Sequence, residues 1–329
     1  MTALVDVDQL EVHFTARAGL LRSMFGRETP VVRAVDGVSF TLGKGEILCL
    51  AGESGSGKTT TGKAILRLVE PTAGKVYYAG EDVRAYNRSK LRSFRQEAQI
   101  IFQDPYESLN PRQTVFNIVA EPLEVNNLCH SLAEKEERVA RALIDAGLHN
   151  PQELFLRYPH ELSGGQRQRL AIAGSLVLDP KFIVADEPVS MLDLSIRAGI
   201  LKLMVDLRDQ KGISYLFITH DLSLAWLVSD RIAIMYLGKI VELGSADTVI
   251  KDPLHPYTRA LVSVIPAPRR KVITRQSLLK GETPDPVNVP PGCRFHPRCP
   301  VALPRCREEV PPYREVRPGH FAACHLING

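Results

Sequence analysis

Glu46-Ile47-Leu48-Cys49-Leu50-Ala51-Gly52-Glu53-Ser54-Gly55-Ser56-Gly57-Lys58-Thr59-Thr60-Thr61 is the stretch on which the fold turns. Its first part is a short apolar run, as a strand buried on both faces produces. Its middle, Gly52 to Thr59, matches G-x-x-x-x-G-K-[ST] in full. Helix-forming sequence follows, from Thr59 to about Leu68. A strand, a glycine loop and a helix in that order are what a phosphate cradle needs. The glycines let the backbone curl, and the loop amides and helix N-terminus face the anion. Lys58 would reach the β/γ-phosphates and Thr59 would ligate Mg²⁺, with Thr60 as a further phosphate contact. Ser54, Gly55, Ser56 and Gly57 complete the cradle. The motif alone implies nucleotide binding, which many reaction classes share.

Working outward, Phe182-Ile183-Val184-Ala185-Asp186-Glu187 reads as a buried strand ending in two acids. Asp186 can hold the Mg²⁺ shell, and Glu187 can orient or polarise the attacking water. Leu162-Ser163-Gly164-Gly165-Gln166 opens a helix predicted over about 165–178. Its exposed amides and hydroxyl suit a second phosphate cradle, while plain N-capping by Ser163 is the structural reading. Tyr215–Ile218 is another buried strand, with a helix over 194–211 before it. Residues 131–147 show an apolar helical face of Leu132, Val139, Ala142, Leu143 and Ala146. Residues 8–50 alternate in pieces and read as strands and hairpins. Ile232–Met235 and Lys239–Val241 read as a hairpin around Gly238. Strands alternating with helices predict a mainly parallel α/β sheet with right-handed crossovers.

These motifs, in this order, strongly resemble the ATP-binding subunit of an ABC transporter, over residues 1 to about 265. The resemblance implies a P-loop NTPase (ABC ATPase) fold: α/β, with a mainly parallel core sheet, an antiparallel β subdomain and a helical subdomain at about 104–178. It identifies Gln103, in Ile101-Phe102-Gln103-Asp104-Pro105, as the Q-loop glutamine that links metal and water to the membrane partner. It identifies His220, in Ile218-Thr219-His220-Asp221, as the switch histidine on the γ-phosphate. Ser190-Met191-Leu192-Asp193 looks like the D-loop, with Asp193 among the nucleotide-site residues. Phe14 is the expected stacking partner of adenine, with Phe25 as the alternative. The resemblance implies that two such subunits meet head to tail. Each ATP then lies between Lys58, Thr59, Gln103, Asp186, Glu187 and His220 of one copy and Ser163–Gln166 of the other. Met191, where alanine is usual, and Gly174-Ser175, where Arg-Ala is common, depart from the pattern without removing a catalytic group.

The end of the chain has a different composition. Fourteen of the 23 prolines fall from Pro253 onward, and so do Cys293, Cys299, Cys306 and Cys324 of the six cysteines. Prolines at that density cannot sustain helices or central strands. This marks off a small irregular C-terminal domain over 266–329 from a nucleotide-binding domain over 1–265. The cysteines are spaced C-x5-C-x6-C-x17-C, unlike the C-x2-C pairs of zinc ribbons. Four thiolates can hold Zn²⁺ or an iron–sulfur cluster, and free thiols are the plain alternative. His296, His320 and His325 are candidate substitute ligands, read first as surface histidines. Cys49 and Cys129 read as structural.

His255-Pro256-Tyr257-Thr258-Arg259-Ala260-Leu261 and Gly292-Cys293-Arg294-Phe295-His296-Pro297-Arg298-Cys299-Pro300 resemble the oligopeptide/dipeptide importer branch, as does Phe102-Gln103-Asp104-Pro105-Tyr106-Glu107-Ser108-Leu109-Asn110-Pro111-Arg112. That branch implies a 4Fe–4S cluster on the four cysteines, with Zn²⁺ second. It also implies a second ATPase subunit (a paralogue or this chain itself), two membrane-spanning permease subunits and an extracytoplasmic solute-binding protein. The expected place is the cytoplasmic face of the cell membrane, and the expected solute a di- or oligopeptide, with oligosaccharide, nickel or glutathione as alternatives.

Composition sets further bounds. The 41 basic and 37 acidic residues leave a formal charge of +4, and aromatics are 6% of the chain. Neither suggests a nucleic-acid surface. The longest apolar runs, Ile213–Ile218 and Ile232–Leu237, fall far short of the ~20 residues that span a bilayer. The N-terminus lacks the pattern of a secretory leader. The sequence therefore predicts a soluble protein that reaches a membrane through partners. A soluble ABC ATPase of DNA repair or translation is the rival class. The gap from Gln103 to Leu162, about 60 residues, leaves no room for a long coiled coil, and the chain carries one cassette. Arg269-Arg270-Lys271 is a short basic run, read as solvated with a weak option of lipid headgroups.

Overall fold

The structure, a computed structural model, describes residues 3–15, 30–265 and 281–327. Phe25 and Arg269–Lys271 lie outside the described residues. In chain order the strands are β1 (Val5–Thr15), β2 (Val31–Leu42), β3 (Ile47–Ala51), β4 (Ala73–Tyr78), β5 (Glu81–Asp82), β6 (Ala98–Ile101), β7 (Phe182–Asp186), β8 (Ser214–Thr219), β9 (Arg231–Tyr236), β10 (Lys239–Ser245), β11 (Arg314–Arg317) and β12 (His320–Ala322). The chain divides into two compact units.

The first unit comprises residues 1–42, 47–85 and 219–329. It holds an antiparallel sheet in the order β2-β1-β4-β5 and a run in the order β11-β12-β10-β9-β3. β3 pairs with β9 in parallel, Leu50 opposite Ala233, whereas β9, β10, β12 and β11 pair antiparallel. Leu48, Cys49, Leu50 and Ala51 are completely buried, as their apolar run requires. The Gly238 hairpin forms as predicted, Tyr236 opposite Lys239. Beyond the predicted parallel core there is thus an antiparallel margin, and its outer two strands come from the cysteine-rich tail. From residue 281 to Tyr313 the tail is irregular, apart from a 3-10 turn at Pro304–Arg307. It then forms the β11–β12 hairpin across Pro318-Gly319, with Gly319 at φ +70°. Proline followed by a positive-φ glycine is a turn signal that the high proline content had masked.

The second unit comprises residues 43–46 and 86–218. Its strands run β8-β7-β6, all parallel, with Ile183, Val184 and Ala185 completely buried. Its helical part contains Val115–Asn126, Leu132–Asp145 and Gly164–Leu176. Thr114, Ser131 and Ser163 cap these helices, each side chain accepting a backbone N–H from the first turn. Val119, Ala120 and Leu123 of the first, Val139, Ala142 and Leu143 of the second, and Leu170 and Ala173 of the third form the core of this region. The helix Leu194–Lys211 keeps its predicted bounds and stops where Gly212 turns left-handed at φ +68°.

Candidate nucleotide site

In the first unit, the loop after β3 meets the helix Lys58–Ile65 at Gly57, whose φ is +103°. That helix starts with no side-chain cap and no acid in its first turn. A helix start without a side-chain cap or a first-turn acid leaves the positive end of the helix unopposed, a condition that suits an anion site. The glycines are forced by space as well as by dihedral. A Cβ on Gly57 would lie 2.1 Å from the Ala34 carbonyl oxygen, and one on Gly52 would lie 2.2 Å from that of Met235. Gly55, at φ +76°, has nothing within 4 Å of a Cβ. Lys58 is 5% exposed, and its Nζ donates to the carbonyls of Gly52 and Glu53, each at 2.8 Å. Curling back this way holds the cation at the centre of the loop it belongs to. Ser54 and Gly55 stand exposed, and Thr59 and Thr60 are half-buried at the helix start. The Ser56 carbonyl accepts from the Gly238 amide at 2.9 Å, which ties the loop to the β9–β10 turn. His220, exposed just past β8, precedes the helix Leu222–Val228, which Asp221 caps. Phe14 lies on β1 opposite Val32 and is 44% exposed.

In the second unit, β7 delivers Asp186, 4% exposed, at its C-terminal end. The next residue, Glu187, adopts φ +47°, a left-handed backbone uncommon for a residue with a side chain. Its amide donates to the Ile218 carbonyl at 2.9 Å, and its own carbonyl accepts from Ser190 Oγ at 3.0 Å. These bonds hold the strained turn in place. Gln103 Nε2 donates to Glu187 Oε2 at 3.4 Å, so these two side chains meet. Ser163 and Gln166 form a reciprocal capping box: Ser163 Oγ accepts from the Gln166 amide at 3.3 Å, and Gln166 Oε1 accepts from the Ser163 amide at 2.9 Å. The structural reading of that turn holds, and the Ser163 hydroxyl keeps its proton to donate. Gly165 is buried against Ile196, where a Cβ would approach to 2.8 Å, whereas Gly164 meets only Leu192 at 4.0 Å. Asp193 stands at the N-cap of Leu194–Lys211 and makes no capping bond of its own. Met191 and Leu194, 60% and 80% exposed, leave an apolar tip beside it.

The tail belongs to the first unit. Phe295, 1% exposed, packs against Tyr236, Tyr257 and His255 at ring distances of 5.3–5.6 Å. The Cys293 amide donates to the Cys306 carbonyl at 2.9 Å. All four tail cysteines are free thiols, as are Cys49 and Cys129. Burial pushes the Cys293 thiol up to about 11, and negative charge on the other three adds to it, so the four lie within electrostatic reach of one another. Cys299 and Cys324 move the same way for the same first cause. Among the described residues no three of these sulfurs lie within 4.8 Å of each other. A single Zn²⁺ with Zn–S of ~2.3 Å would hold them ~3.8 Å apart. The tail sulfurs as placed therefore do not form a single tetrahedral Zn²⁺ site.

The histidines differ from expectation. His320 is 2% exposed, with Nε2 2.8 Å from Glu242 Oε1, and His325 is 9% exposed with Nε2 3.0 Å from the Glu309 carbonyl. Both are interior structural groups and not surface residues. His296 is half-buried, its Nδ1 2.9 Å from the Cys293 carbonyl. No spacing in the sequence ties His320 to a strand 78 residues earlier.

Comparison with known proteins gives two family matches and several relatives. Residues 35–190 match the ABC transporter family, and residues 241–306 match the family described as oligopeptide/dipeptide transporter, C-terminal region. The oligopeptide transport ATP-binding protein AppF of Bacillus subtilis is 47% identical over 328 residues, 99% of this chain and 98% of that protein. A probable peptide ABC transporter ATP-binding protein of Sinorhizobium fredii is 46% identical over 98% of this chain and 90% of its own length. Among solved structures, the ATP-binding cassette MJ0796, as a dimer in a post-hydrolysis state bound to ADP and Pi, aligns with a TM-score of 0.63 and 27% identity. The alignment covers 74% of this chain and 98% of that one. CbiO1 of Clostridium perfringens, part of the ABC transporter complex cbiONQ, gives 0.64 and 26%, covering 77% and 92%.

Proposed function

Because this chain belongs to the ABC transporter family of ATP-binding subunits, we propose that it hydrolyses ATP to drive an importer of di- and oligopeptides. The observation that carries the ATP reading is the phosphate loop: a glycine-forced curl, an uncapped helix start and the buried ammonium of Lys58. The peptide reading is supported by the C-terminal region at 241–306 and by relatives named for peptide transport.

The backbone of Gly52–Gly57 with Lys58, Thr59 and Thr60 takes the phosphates. Phe14 takes the adenine face. Thr59, Asp186 and Gln103 hold Mg²⁺, which neutralises phosphate charge when bound. Glu187 orients the attacking water, helped by the held backbone and the Gln103 contact, and His220 donates to the γ-phosphate. Ser163–Gln166 serve the nucleotide of a second ATPase subunit, with Asp193 beside that junction. Nucleotide phosphates are then compensated only when both cradles engage, so binding closes the pair and hydrolysis lets it open. Residues 104–122 pass that motion to two membrane-spanning permease subunits, fed by an extracytoplasmic solute-binding protein. The described residues contain no helix long and apolar enough to cross a membrane. The place of the subunit in this reading is the cytoplasmic face of the membrane, held there by its partners. The working division is a nucleotide-binding domain over 1–265, its helical part at about 104–178, and a tail domain over 266–329.

Cys293, Cys299, Cys306 and Cys324 hold a metal centre. What supports an iron–sulfur cluster over a single Zn²⁺ is the sequence pattern C-x5-C-x6-C-x17-C, which lacks the C-x2-C pairs of zinc ribbons. Anaerobic purification with iron, sulfide and zinc analysis tests this: stoichiometric zinc in a colourless protein, or no metal at all, would refute the cluster.

The function is tested by reconstituting the chain with its permease subunits and binding protein in vesicles. Mg-ATP-dependent uptake of labelled di- and oligopeptides is expected. Uptake of only a sugar, nickel or glutathione would replace the solute. ATPase stimulated by DNA or ribosomes, with no transport, would replace the class.

A further inference from the structure

Glu53 occupies a position of the phosphate loop at which phosphate binding asks for no carboxylate. A negative charge there opposes a triphosphate unless something neutralises it. The tail does so. Arg298 Nη1 donates to Glu53 Oε2 at 2.6 Å and Nη2 to Oε1 at 3.0 Å, a bidentate fork, while Thr283 Oγ1 donates to Oε2 at 2.7 Å. The backbone of the same residue is tied as well. Its amide donates to Tyr257 Oη at 3.0 Å, and its carbonyl accepts from Lys58 Nζ. Arg298 is 7% exposed, its amide donates to the Phe295 carbonyl at 3.0 Å, and its guanidinium lies 5.9 Å from the Tyr236 ring centre. It sits between Cys293 and Cys299, so one side chain links the cysteine segment to the phosphate loop.

We propose that Arg298 is a positioning residue for nucleotide binding: the C-terminal tail holds the phosphate loop in its receptive curl by clamping and neutralising Glu53. This rests on the reading that Gly52–Thr59 binds nucleotide phosphates. With the clamp gone, an uncompensated carboxylate is left beside the phosphates, and affinity falls. Removing that carboxylate too then restores affinity, which no loss of packing would do.

The experiment measures equilibrium Mg-ATP binding by the full chain, and KM and kcat of the assembled transporter, for the parent, Lys58→Ala, Arg298→Gln, Arg298→Lys, Glu53→Gln and the Glu53→Gln/Arg298→Gln double variant. Arg298→Gln is expected to raise Kd and KM about tenfold, a common size for coupling between groups, with kcat within about twofold. The double variant is expected to recover most of that loss, and Arg298→Lys to fall between parent and Arg298→Gln. Parental Kd in Arg298→Gln would overturn the proposal, as would equal weakness of Arg298→Gln and the double variant. If Arg298→Gln fails to fold, Arg298→Lys decides: binding weaker than the parent that adding Glu53→Gln restores supports the clamp, and parental binding, or a weakness that Glu53→Gln does not restore, overturns it. Lys58→Ala separates the premises. Parental binding by Lys58→Ala would refute the nucleotide reading of the loop and this proposal with it. Weak binding by Lys58→Ala beside parental binding by Arg298→Gln would sink the clamp alone.

Discussion

The phosphate loop and the cysteine-rich tail share one compact unit and are built on opposite terms. The loop is made of backbone: its shape follows from glycines at which a Cβ would strike a carbonyl at 2.1–2.2 Å. The tail is made of side chains. Phe295 is set among aromatic rings, Arg298 is forked onto Glu53, and His320 is paired with Glu242, which is completely buried. A backbone-made site tolerates almost no change at a few positions and is written in eight consecutive residues. A side-chain-made segment spreads its anchoring over distant positions, each replaceable at moderate cost.

If this contrast holds, Gly57→Ala gives the largest effect. With φ at +103° and a Cβ 2.1 Å from Ala34 oxygen, it should cost more than about 4 kcal/mol and abolish ATP binding, read by thermal melting and nucleotide titration. A normally stable, ATP-binding variant would show that the loop is not fixed by its backbone.

The tail's deepest anchor comes next. The Glu242 carboxylate accepts the amides of Leu254 and His255, each at 2.8 Å, and meets His320 Nε2. Glu242→Gln replaces one acceptor with a donor and should cost about 3–4 kcal/mol in denaturant unfolding. A change under about 1 kcal/mol would mean that the tail is held elsewhere.

A smaller effect depends on pH. Burial, outweighing the pull of Glu242 and assisted by Arg259, lowers His255 from 6.5 to about 4. Between those values the unfolded chain binds a proton that the folded chain refuses. Stability is therefore full above pH 6.5 and declines as pH falls toward 4, by up to about 3 kcal/mol from this group. His255 Nδ1 accepts the Tyr257 amide at 3.1 Å, a role asparagine can fill without titrating. His255→Asn should flatten the pH dependence of unfolding across that window, and an unchanged slope would contradict it.

The smallest effect returns to the loop. Gly55→Ala meets no atom within 4 Å and adds only the strain of a positive φ, about 1 kcal/mol, with binding nearly kept.

The same contrast explains what could be read from the chain. The loop, β7 with its two acids and the helix Leu194–Lys211 follow rules local to a few residues: glycine where the backbone must curl, an apolar run where both faces are buried, glycine where a helix must stop. The left-handed backbone of Glu187 was not legible, because glutamate carries no preference for it and distant partners, such as the Ile218 carbonyl, hold it there. Nor was the Glu53–Arg298 clamp, whose members are 245 residues apart with no spacing rule to join them. The four cysteines were legible as a group. Their anchoring was not, and the proline count concealed the β11–β12 hairpin.

Glu187→Gln is the most direct test of the central claim, that this chain couples ATP hydrolysis to transport through Glu187. It keeps the size of the side chain and removes its charge. In the transporter assembled with its permease subunits, Mg-ATP affinity should stay at the parental level or tighten, while turnover should fall by about a hundredfold or more, the scale of a lost general base. Hydrolysis by Glu187→Gln at the parental rate would contradict it.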